Sequence, residues 1–178
     1  MRKSYFILII IVSFTGCITQ SKEKTIEKYL RKAHGKKTEE YSNKVLTLDS
    51  LNTDALYNLG YINQENDSGI YYFKKSLEID SNQAMVWYEL GRIYKIKSRV
   101  GQSAYLEDRI NVSQLDSAIL FISKAIELDT TSGLLYYERG FCCTYSNRRS
   151  QYDLAKSDFS KACKLGWPVA CEIVKSWK

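Results

Sequence analysis

Five cysteines and one histidine are the side chains with the sharpest chemistry in this 178-residue chain. Neither type falls into a reactive pattern. No Cys-x-x-Cys spacing occurs, and His34 stands alone at the end of a helical stretch, just before Gly35. Zinc needs about four converging ligands, so no metal or cofactor site is expected. A Ser–His–Asp group would have to use His34, in the least regular part of the chain. Neither a Gly-x-Ser-x-Gly turn nor a glycine-rich phosphate loop is present. Glu78, Glu127 and Glu138 fall on helix positions expected to face solvent. No catalytic residue is therefore expected, and the chain does not read as an enzyme. Cys142 and Cys143 are neighbours on a helix and read as small packing residues. Cys163 and Cys171 lie eight apart, on either side of a helix-turn-helix corner. A bridge between them is sterically open, and so is a pair of buried thiols.

The elements that must carry these residues begin with a targeting segment. Arg2 and Lys3 are followed by an almost unbroken apolar run from Tyr5 to Phe14. That run is shorter than the roughly 20 residues that span a bilayer, and it has the layout of a secretory signal. Thr15, Gly16 and Cys17 at its end resemble the lipobox of bacterial lipoproteins, with Phe14 where that family usually has leucine. The resemblance implies a signal over 1–16, a lipidated Cys17 and a polar tether over 17–22. Ile18 stands where an aspartate would resemble an inner-membrane retention signal, which implies the outer membrane, facing the periplasm. An ordinary cleaved signal with an incidental cysteine is the alternative. Export makes disulfides possible.

Without Arg2 and Lys3 the net charge of +6 drops to about +4, spread through the chain. That excludes a dedicated nucleic-acid surface. Lys95, Lys97, Arg99, Arg148 and Arg149 could gather along one edge, as a solvated face. One proline and fourteen tyrosines fit an all-helical chain with half-buried apolar surfaces.

Apolar residues then recur at helical spacing. Ile26, Tyr29, Leu30 and Ala33 mark a helix from Glu23 to His34, and a second runs from Thr38 to Leu48. These make a degenerate pair over 23–52. One phrase is then written three times over 53–167. Gly60, Gly91 and Gly140 hold one place in it. Lys75 to Leu77, Lys124 to Ile126 and Lys161 to Cys163 hold another. Each phrase is two helices with small residues, such as Gly91 and Ala118, where they must approach closely. Asp67 or Ser68 is available to cap the second helix of the first copy. The middle copy carries an insertion over 97–113, open to reading as a partner-binding loop or as a bland one. Gly166, Trp167 and Pro168 stop one helix and start another. A closing helix over 168–178 can cap the last repeat.

Self-similarity near 34 residues marks a helical solenoid. Trp87, Leu90, Gly91, Tyr94, Ala118, Ile122 and Ala125 resemble the tetratricopeptide repeat (TPR). Gly69 replaces an alanine of that pattern, and the first copy's turn is about three residues short. The resemblance implies an all-α, right-handed superhelix of antiparallel helix pairs. Cys163 and Cys171 resemble the cysteine pairs of Sel-like repeats, cousins of TPR, and that implies a disulfide.

In a TPR fold the first helices line a concave groove. Positions three before and one after each glycine face it: Tyr57 and Tyr61, Tyr88 and Arg92, Tyr137 and Phe141. Gln64, Lys95 and Thr144 follow one turn on. Arg92 and Lys95 could meet a carboxylate or phosphate. The Lys/Asn set by which TPR co-chaperones clamp a C-terminal carboxylate is not matched. The resemblance implies a membrane-anchored scaffold that binds a peptide or protein partner. A structural subunit of an envelope assembly, using the convex face or the insertion, is the rival. A Sel-like envelope hydrolase would need a nucleophile and base that the sequence does not offer.

Overall fold

The computed structural model describes residues 19–99, 111–146 and 148–177. The signal over 1–16, the lipidation position Cys17 and most of the insertion lie outside the described residues. Within them the chain is all-helical. Helix α1 covers 19–32. It begins inside the stretch read as a tether, where neither glycine nor proline interrupts residues 19–32. It ends before His34, because Gly35 takes the left-handed φ of 55° and turns the chain into a short 3-10 segment, Gly35–Lys37. Then come α2 (Thr38–Leu48), α3 (Thr53–Ile62), α4 (Asp67–Ile79), α5 (Ala84–Lys97), α6 (Val112–Leu128), α7 (Gly133–Thr144), α8 (Arg149–Lys164) and α9 (Pro168–Lys175).

Each of α2 to α9 packs chiefly on its neighbours in sequence. Register shows that α7 and α8 are antiparallel. A Cβ placed on Gly133 would meet the Ala162 carbonyl and Leu165, whereas one on Gly140 would meet Asp158, Phe159 and the Ala155 carbonyl. Later positions on α7 thus face earlier ones on α8. The repeated glycine is where the two helices touch. At Gly91 an added Cβ would lie 2.6 Å from Ile122 Cγ1 and 3.2 Å from the Ala118 carbonyl. At Gly60 it would lie 2.6 Å from the Phe73 ring.

The first copy's departures share a cause. Its turn is so short that a Cβ at residue 69 would sit 2.6 Å from the Asn63 carbonyl oxygen. Backbone cannot yield there, so only glycine fits. Asn66, rather than Asp67 or Ser68, caps α4, accepting from the Ser68 amide at 2.9 Å. Asn111 caps α6 in the same way through Gln114, so α6 starts inside the insertion.

The core is a chain of three apolar clusters, centred on Phe73 and Leu90, on Leu115 and Ile122, and on Phe159 and Ala162. One ion pair is set into it. Arg139 donates to both Asp158 oxygens at 2.8 Å and to Ser123 Oγ at 3.0 Å, which joins α6, α7 and α8.

Candidate functional site

The six aromatic and basic side chains expected along the first helices occupy i,i+4 pairs, one pair per helix, so the two members of each pair share a face of their helix. On α3 the Tyr57 and Tyr61 rings stack at 6.2 Å, with Tyr57 also against Phe73 at 5.8 Å. Tyr61 is the outer member, 47% exposed. On α7 the Tyr137 and Phe141 rings lie 6.3 Å apart, and Tyr137 reaches Trp167 at 5.9 Å. Tyr137 therefore joins the strip to the corner that precedes α9.

On α5 the two members differ. Tyr88 is 9% exposed and belongs to the core cluster of Leu115 and Ile122. Burial, followed by the charges of Glu138 and Glu89, pushes its phenol up to about 12. Arg92 is half-buried and donates from Nε to Glu89 Oε2 at 2.8 Å and from Nη2 to Gln64. Lys95 pairs with Glu138 of α7 and lies 5.6 Å from the Phe141 ring centre. The cations that the sequence offered to a ligand's carboxylate are thus engaged within the chain. Their hydrogen bonds run from the α3 end to α5 and from α5 to α7, tying the three first helices together.

Glu138 is the correction to the sequence reading. Expected to face solvent, its side chain is 15% exposed and sits across from Lys95. Glu89 was not foreseen at all. Its side chain is 6% exposed, and a carboxylate so buried needs the guanidinium three residues on. The spacing of Glu89 to Arg92 was the available signal.

A cavity of about 590 Å³ opens beside Arg92. Ile93 and Ile96 form its apolar side, and Gln64, Asp67 and Lys97 its rim. Lys97 reaches Asp67 across it. Thr144 turns its hydroxyl onto the Phe141 carbonyl and takes no part in the strip's contacts.

The cysteines fall into two kinds. Cys163 and Cys171 have sulfurs 2.01 Å apart and Cα atoms 4.6 Å apart, a disulfide that ties α9 to the end of α8. Cys142 and Cys143 are buried free thiols, pushed up by burial to about 12 and about 11. Among the described residues no three His, Cys, Asp or Glu side chains converge as metal ligands. No described helix is long and apolar enough to cross a membrane. Compared with protein-family models and with curated proteins, the chain matches neither.

Proposed function

We propose that this chain is a TPR-like interaction scaffold of the bacterial envelope, held to the outer membrane by lipid on Cys17. Its helix pairs wind as a right-handed superhelix, and its first helices present a groove to a peptide or protein partner. One observation carries the reading: α3, α5 and α7 share one side-chain network, in which an aromatic strip is braced by Gln64–Arg92 and Lys95–Glu138. Such bracing holds Tyr61, Tyr137 and Phe141 in place before a partner arrives. That lowers the ordering cost of binding. Tyrosine and phenylalanine bring large contact area with few rotors to order.

A second reading has its own support. Tyr71 and Leu120 stand at equivalent places on α4 and α6, four residues before Lys75 and Lys124, and are 59% and 57% exposed. Two apolar side chains repeated on the second helices fit a structural subunit that docks through the opposite face. Crosslinking in intact cells separates the two. The groove reading expects the crosslinked partner to be lost with Tyr61→Ala plus Phe141→Ala and kept with Tyr71→Ser plus Leu120→Ser. The reverse pattern overturns it.

A further inference from the structure

Of the basic side chains on this edge, most are neutralised by the chain itself. Arg92 reaches Glu89, Lys95 reaches Glu138, Lys97 reaches Asp67, and Arg148 takes Asp116 with both Nη atoms. Arg99 differs. It is exposed, forms no ion pair among the described residues, as is also true of Arg149, and has its guanidinium carbon 5.4 Å from the Phe141 ring centre and 5.1 Å from that of Tyr145. Those rings are 5.0 Å apart and inclined to each other at 55°, so they form a cradle. The space beneath, among Ser98, Leu115 and Cys142, is nearly filled, with about 10 Å³ open.

A guanidinium held over rings loses water from its faces and keeps its N–H donors at the edge, in the fork that matches a carboxylate. Phe141 is shared with the aromatic strip, so this fork stands at the strip's end. From this we infer that Arg99 is the charge-selecting residue of the groove, and that the partner segment is acidic, placing an Asp or Glu carboxylate on the Arg99 fork. The inference rests on the groove reading above. One guanidinium seated on this ring cradle matches a monoanionic carboxylate. A dianionic phosphate calls for a second free cation, and Lys95, which shares the Phe141 ring with Arg99, is held by Glu138.

The test is selection of displayed random dodecapeptides on the purified full-length chain, as wild type, Arg99→Gln, Arg99→Lys and Arg99→Glu. Wild type is expected to enrich Asp and Glu over the starting library. Arg99→Gln loses that bias and binds a selected acidic peptide about tenfold more weakly or worse, as loss of a charge-assisted bond implies. Arg99→Lys keeps part of the affinity. Arg99→Glu prefers the same peptide with its acid changed to lysine, a swap that a merely structural arginine would not produce. Peptides selected without acidic bias, or a bias that survives Arg99→Gln, overturn the inference and leave the groove standing. Failure to select any peptide removes both. Dimers that Arg99→Glu abolishes would make the occupant a second copy of this chain, and would overturn the assignment to a foreign segment.

Discussion

The Arg139–Asp158 pair is the least exposed ion pair among the described residues. Their side chains are 15% and 3% exposed, and two hydrogen bonds hold them. Asp158→Ala leaves a guanidinium without its partner inside a core, at an expected loss of about 3 kcal/mol or more. Replacing both, as Arg139→Met with Asp158→Leu, removes the buried charges together and is expected to recover most of that loss. Urea midpoints of the two variants check this. Burial also sets a pH window. Cys142, Cys143 and Tyr88 all have pKa values raised above ordinary, to about 12, 11 and 12. The unfolded chain gives up these protons first, so stability from these groups is intact below about pH 8.5 and falls as pH climbs toward 12. Urea midpoints at pH 7, 9 and 10.5 should show a plateau and then a decline. At pH 8 iodoacetamide should spare both thiols until denaturant is added.

At the scale of helices, the repeated small residue was legible because its cause is local. A helix pair in contact needs a gap in the side-chain layer, and Gly60, Gly91, Gly140 and Ala118 mark it. Gly69 was legible only as a departure. Its reason, the Asn63 carbonyl 2.6 Å from any Cβ, appears once the short turn is folded. The start of α6 falls inside the stretch read as the insertion over 97–113. Val112 and Leu115 look like loop text beside the insertion, and Asn111 becomes a cap only where the chain turns. The last corner was read through its cysteines, and α9 depends on them. It is two turns long, with Ala170 as its buried residue and Val169, like Trp177 just beyond its end, partly out in water. The Cys163–Cys171 bridge closes a short loop, worth about 2–3 kcal/mol. Cys171→Ser is expected to lower stability by that amount. It should also speed amide exchange in α9 and the end of α8, with little change in α3 to α5. Uniform acceleration through the chain would show that the bridge does not act locally.

For the molecule as a whole, what escaped the sequence was pairing between repeats. Glu138 and Arg99 gain their meaning from residues on another helix pair, and no periodicity in one helix encodes that register. Contacts mainly between neighbours in sequence make a chain of linked units, in which a change at one end need not reach the other. That arrangement is compatible with the proposed anchoring at Cys17, which would leave the side chains from Tyr61 to Phe141 to the proposed partner. The proposed anchor makes the final prediction. No helix among the described residues is long and apolar enough to span a bilayer, and in the proposed arrangement lipid on Cys17 supplies retention at the membrane. A single acyl chain holds only weakly, whereas a multiply acylated cysteine anchors stably. Wild type should partition into the detergent phase from carbonate-washed membranes, and Cys17→Ala should leave it. The mature N-terminus read by mass spectrometry should be Cys17 carrying acyl mass. A Cys17→Ala chain that stays with washed membranes would overturn the anchor. If Tyr61→Ala plus Phe141→Ala then released it, the groove itself would be the tether.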